Sequence, residues 1–201
     1  MSGERPVALL HSYLADREEE GKPDRLSRVN ILAVSELYRR GKIDKICITV
    51  IPELSNMQVK RLKTLLNDIS EEDLVVKPQT VTTKEEVTTF GDLAKENGWN
   101  NLITIGNPVH LPRIRKEIKK AFKEKSIRIE AKSSSEILSE YTRYAQILRD
   151  MESWPEQESQ KFLEKILNTP ILGRIILYIA PHFSKRKIAL QSWGFKLLER
   201  K

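Results

Sequence analysis

The sequence predicts an α/β protein with a mostly parallel sheet, and three observations carry that expectation. Short apolar runs recur along the chain, separated by amphipathic stretches of about ten to seventeen residues. The runs are β-branched and apolar throughout, as in "ICITVI", which suits strands covered on both faces. Helix starts and stops sit where the periodicity changes, with Ser, Thr or Asp before a stretch and Gly after it.

Each element follows from its own pattern. "VALLHSYL" (7–14) reads as a short buried strand between Pro6 and the charged loop "ADREEEGKP". Asp24 can cap a helix whose apolar residues at 26, 29, 32, 33 and 37 share one face, with Gly41 as its stop. "IDKICITVI" (43–51) is a second strand, ended by Pro52. "SNMQVKRLKTLLNDI" (55–69) is a second amphipathic helix, and "LVVK" (74–77) a third strand. In "TVTTKEEVTTFGDLAKENG" (80–98), Thr82 or Thr83 precedes Glu85 or Glu86 by three residues, the capping-box spacing, and Gly98 stops the helix. "NLITIG" is strand four, "LPRIRKEIKKAFKEK" helix four and "IRIEA" (127–131) strand five. Together they predict a Rossmann-like three-layer sandwich with a five-stranded sheet and right-handed crossovers over residues 1–132.

From residue 133 the strand signal disappears. "SSSEILSEYTRYAQILRDMESW" starts on a serine cap and runs helical, and Pro155 opens another helix. "PILGRIILYIAPHF" and "SKRKIALQSWGFKLLERK" read as two more, so residues 133–201 form a C-terminal helical extension. The net charge of +7 belongs there: residues 161–201 hold nine Lys or Arg against two Glu, leaving the rest neutral.

The single cysteine, Cys47, lies in an apolar run and supports no disulfide framework. The start "MSGERPVALLHSY" lacks a signal-peptide pattern, and no apolar run nears the roughly 20 residues that span a bilayer. A cytoplasmic protein is the expectation.

Ligands of an open parallel sheet bind at the carboxyl ends of its strands. That rule brings residues 11–24, 50–55, 78–86 and 106–113 to one rim. His110 and Arg113 then stand at a helix start, beside free N–H groups, with Asn107, Thr82, Thr83 and Glu86 nearby. Arg113 and the N–H groups suit an anion, and His110 suits proton transfer. A plainer reading also fits: Thr82 and Glu85 cap a helix, and His110 is a polar residue at a turn. His11 falls at a strand end and His182 in the tail, and neither is singled out. The acidic run Asp16, Glu18, Glu19, Glu20 and Asp24 offers oxygens to a hard cation but reads as a solvated loop. There is no P-loop, GxGxxG, zinc spacing or nucleophile elbow, and no motif names a cofactor.

With these segments in place the chain resembles the SanA/YdcF/ElyC-like family, bacterial proteins built on a domain of unknown function. "RVNILAVSELYRRGKIDKICIT" is similar to the family's first helix, with its Leu-Tyr, glycine and following strand. "TVTTKEEVTTFGDLAKENGWNNLITI" is similar to its Ser/Thr-rich segment with a Glu, followed by a helix and a strand. "IGNPVHLPRI" resembles the motif in which a strand leads to a histidine and then an arginine, here His110 and Arg113. The likeness covers about residues 5–132. It implies a phosphate- or nucleotide-like ligand and a link to the cell envelope. Two departures stand against that pocket: "HSYLADREEEG" and "VIPELSN" lack the glycines that family members carry after the first and second strands. Many members also carry a membrane helix that this chain lacks.

Two functions follow. One is an enzyme or binding protein for an anionic, phosphate- or nucleotide-like small molecule, with His110 as the proton carrier. The other is a non-catalytic module acting through its basic tail on anionic membrane, nucleic acid or a protein partner. Lys185, Arg186, Lys187, Lys196, Arg200 and Lys201, with Tyr178, Phe183, Trp193 and Phe195, would form that surface, at the inner face of the membrane in one version. The tail also fits a third description, a helical layer packed on the sheet domain with its lysines solvated.

Overall fold

The structure, a computed structural model, describes residues 5–11, 25–50, 63–78, 82–122 and 127–167. Five strands, β1 (Val7–Leu10), β2 (Lys45–Val50), β3 (Leu74–Pro78), β4 (Asn101–Gly106) and β5 (Arg128–Ser133), form one sheet in the order β3-β2-β1-β4-β5. Every pairing is parallel. Val7 lies beside Lys45 and Leu102, and Leu10 beside Ile48 and Ile105, so β1 is the centre and β3 and β5 are the edges.

The helices are α1 (Arg25–Arg39), α2 (Thr83–Asn97), α3 (Leu111–Ala121), α4 (Ser134–Ser139), α5 (Ala145–Met151) and α6 (Pro155–Leu167). The helix expected over 55–69 is described only from residue 63, of which 63–65 are helical. The acidic loop at 15–23 and the basic segment 168–201 lie outside the described residues.

Alternation along β1 separates two cores. Ala8 and Leu10 join Ile46, Ile48, Ile103 and Ile105 under α1 and the C-terminal helices. Val7 and Leu9 join Cys47, Leu102, Phe90 and Ala94 under α2. Apolar burial on both faces of each central strand is what selects a parallel sheet in this sequence, each buried Leu or Ile contributing about 1.5–3 kcal/mol.

Three helix ends follow their sequence signals, while the caps expected at Asp24 and Ser55 lie outside the described residues. Thr82 caps α2 by accepting from Glu85 N at 3.2 Å, while the Glu85 carboxylate accepts from Thr82 N at 2.9 Å. Gly41 (φ 61°) and Gly98 (φ 69°) end α1 and α2 in the left-handed conformation. In both, the residue after the glycine donates five residues back, Lys42 N to Leu37 O at 2.9 Å and Trp99 N to Ala94 O at 2.8 Å.

The stretch from 133 departs from the expectation that it runs on as one helix. It breaks at Tyr141 (φ −127°, ψ 112°), passes through a 3-10 turn at Thr142–Tyr144 and resumes as α5. A straight helix would place Met151 about 21 Å from Ile137. The break lets Ile137, Leu138, Tyr144 and Met151 all enter the core beneath α1. Glu36 of α1 anchors the same region. It is buried and accepts from Arg40 Nε at 3.0 Å, Tyr144 Oη at 3.1 Å and the Arg143 guanidinium.

Candidate functional site at the carboxyl edge of the sheet

The order β3-β2-β1-β4-β5 reverses direction at β1 and β4, where successive crossovers leave toward opposite sides. In open parallel sheets ligands bind at the carboxyl ends of the strands where the order reverses, here β1 and β4. His11 follows β1, its N–H donating to Ile105 O of β4 at 3.1 Å, and Asn107 follows β4 directly. The edge of α1 contributes as well: Asn30 Nδ2 donates to His11 O at 2.8 Å.

His110 precedes α3 and is shaped by Asn107. Its N–H donates to Asn107 Oδ1 at 2.9 Å and to Asn107 O at 3.1 Å, a turn that fixes the direction of the ring. The ring lies 5.9 Å from that of His11, edge to face at 70°. Its Nε2 is 3.2 Å from Thr83 Oγ1 and its Nδ1 is 2.6 Å from Glu164 Oε1, on α6. His11 is built in parallel, with Nδ1 2.8 Å from Glu86 Oε2, while Thr49 Oγ1 donates to Glu86 Oε1 at 3.3 Å. An ionised carboxylate only accepts hydrogen bonds. Each Nδ1 therefore carries a hydrogen, and in the neutral rings each Nε2 is an acceptor.

The residues singled out from the sequence are thus brought to one place, with different duties. Thr82 is engaged in capping. Thr83, Glu86, Asn107, His110 and Arg113 are linked at this edge through contacts with one another, His11 and Glu164. Arg113 is half-buried, with its Nε inside and its Nη2 3.5 Å from Glu164 Oε1. Burial pushes its affinity for a proton down, and Glu164, Glu86 and Glu117 offset only part of that. A guanidinium stays charged through such a shift.

Two participants were not singled out from the sequence. His11 was placed at a strand end on the rim but carries no local motif, and its place in the site is set by β1 pairing with β4. Glu164 reaches His110 across 54 residues of sequence, and no periodicity announces such a pairing. One further difference concerns access. A rim histidine was expected to face a pocket, yet His110 is 0% exposed, because Glu164 and α6 lie over it.

The interior of the site is polar and incompletely bonded. Among the described residues, His11 Nε2, Asn107 Nδ2, Asn30 Oδ1 and Arg113 Nε are buried without a hydrogen-bond partner. Such groups are uncommon, each costing about 1–3 kcal/mol when left unmade. Asn107 Nδ2 and Arg113 Nε are donors, so what they lack is an acceptor.

No family model, no curated protein and no solved structure matches the chain.

Proposed function

We propose that the carboxyl edge between β1 and β4 binds a small anionic molecule of the phosphate- or nucleotide-bearing class. Arg113 and Asn107 supply donors to its charged oxygens, and His110 exchanges a proton with it. The observation that carries this reading is the set of buried, unsatisfied donors at Arg113 Nε and Asn107 Nδ2, beside two imidazoles. An oxyanion supplies the kind of acceptor that both donors lack, and a guanidinium fork fits phosphate geometry. The likeness of "IGNPVHLPRI" to the SanA/YdcF/ElyC-like family's histidine and arginine motif supports the same reading, and with it a role in bacterial envelope metabolism.

The test is thermal melting with inorganic phosphate, AMP and ATP. A ligand at a hundred times its Kd should stabilise the protein by about 2.7 kcal/mol, several degrees in Tm for a chain of this size. Arg113→Ala and His110→Ala should lose that response. If none of the three ligands stabilises the wild type, or the variants respond as it does, the proposal fails.

A further inference from the structure

We propose that Thr83, His110 and Glu164 form a hydroxyl-activating relay, which makes this edge an acyl-transfer site for small carboxylic esters with Thr83 as nucleophile. The proposal rests on the same edge being a ligand site, but not on the ligand's charge. Its geometry is that of a charge-oriented base: carboxylate to Nδ1 at 2.6 Å, Nε2 to hydroxyl at 3.2 Å.

The direction of each bond follows from the carboxylate. Glu164 accepts, so Nδ1–H of His110 donates to it and Nε2 is left with its lone pair. The Thr83 hydroxyl then donates to Nε2, which leaves the oxygen's lone pairs for an electrophile. All three residues of the relay are buried, His110 at its centre completely so and the two ends only slightly less. The nucleophile also has a place for the charge that develops. Thr83 is the first residue of α2, where the leading N–H groups have no intrahelical acceptor. The capping box consumes only the N–H groups of Thr82 and Glu85.

In the first step the Thr83 proton passes to His110 Nε2 as Oγ1 bonds to the ester carbonyl carbon. The bond from that carbon to the leaving oxygen breaks, and the departing alcohol takes the proton from Nε2. In the second step water repeats the sequence on the threonyl ester, releasing the acid and restoring Thr83. The only co-reactant is water. Glu164 touches neither substrate nor product; it is a positioning residue that holds His110 in the tautomer the first step needs.

The experiment is rapid mixing of the full chain with p-nitrophenyl acetate, followed by peptide mass spectrometry. The expected result is a burst of about one p-nitrophenolate per chain with the acetyl group on Thr83. Thr83→Ala and His110→Ala should abolish the burst, whereas Thr83→Ser should retain it, because only the hydroxyl is required. Glu164→Gln should slow it by about a hundredfold or more, and Glu164→Asp by less, without loss of the folded circular-dichroism spectrum. Absence of a burst, acetylation elsewhere, or a burst that survives Thr83→Ala overturns the relay. Phosphate melting of the same wild-type sample separates the two ideas. Stabilisation without a burst leaves the anion site and removes the relay, and a burst without stabilisation does the reverse.

Discussion

His110 shows how much one side chain's role depends on its neighbours. Asn107 turns the backbone beneath it, Glu164 fixes one ring nitrogen and Thr83 meets the other. An exposed histidine at a turn would offer none of that. Cys47 is the opposite case. It lies in β2 against Phe90 and Ala94, and burial pushes its thiol up to about 12. A thiol with so little thiolate reacts slowly. In the native protein Cys47 should stay unlabelled by iodoacetamide at pH 8 for hours, and should react fully once guanidinium unfolds the chain. Rapid native labelling would show that β2 opens more readily than its packing implies.

At the scale of the element, glycine and capping residues set where helices stop. At Gly98 a Cβ would meet nothing within 4 Å, so substitution there reads backbone strain alone. Gly98→Ala should cost about 1 kcal/mol for the left-handed conformation, a fall in Tm of about 2–4 °C. No change would mean that the α2 terminus rearranges. These features were legible in the sequence because they are local: the capping box spans Thr82 to Glu85, and the stop glycines fall where the apolar periodicity ends. The strands were legible for the same reason, each being an apolar run between polar ends. The break at Tyr141 was not legible. It is imposed by the packing of Tyr144 and Met151 beneath α1, and neither residue differs locally from its neighbours in helical pattern. Residue pairs distant in sequence were equally silent, Glu36 with Arg143 and His110 with Glu164 above all.

For the whole molecule, α4, α5 and the 3-10 turn between them contribute to the core beneath α1. Ile137, Leu138, Tyr144 and Met151 pack with β1, β2 and β4 residues, and Glu36 ties α1 to the 3-10 turn through Arg143 and Tyr144. Burial pushes the Glu36 carboxyl up, but hydrogen bonds from Arg40, Tyr144 and Arg143 outweigh it and leave the group below the usual carboxylate range. Asp73 is held low as well, by Tyr38 Oη at 2.7 Å and Lys45 Nζ at 3.0 Å. Both carboxyls bind a proton more weakly folded than unfolded. They therefore contribute stability above the unfolded pKa and lose it as pH falls through the folded one. Denaturant melts should show stability falling as pH drops below about 4.5, the ordinary carboxylate value. Glu36→Gln should lose about 2 kcal/mol at pH 7 and show a shallower acid slope. An unaltered slope would mean that Glu36 titrates as it does in the unfolded chain.

The two outermost strands carry their own safeguard. Arg128, Glu130 and Lys132 alternate with Ile129 and Ala131 on β5, and Lys77 and Pro78 end β3. Charges at a border strand oppose the addition of a foreign strand, and proline cannot donate to one. The sheet is in that sense protected against polymerising with copies of itself. Exchanging Arg128, Glu130 and Lys132 for valines should turn a clear, agitated solution into one that binds thioflavin.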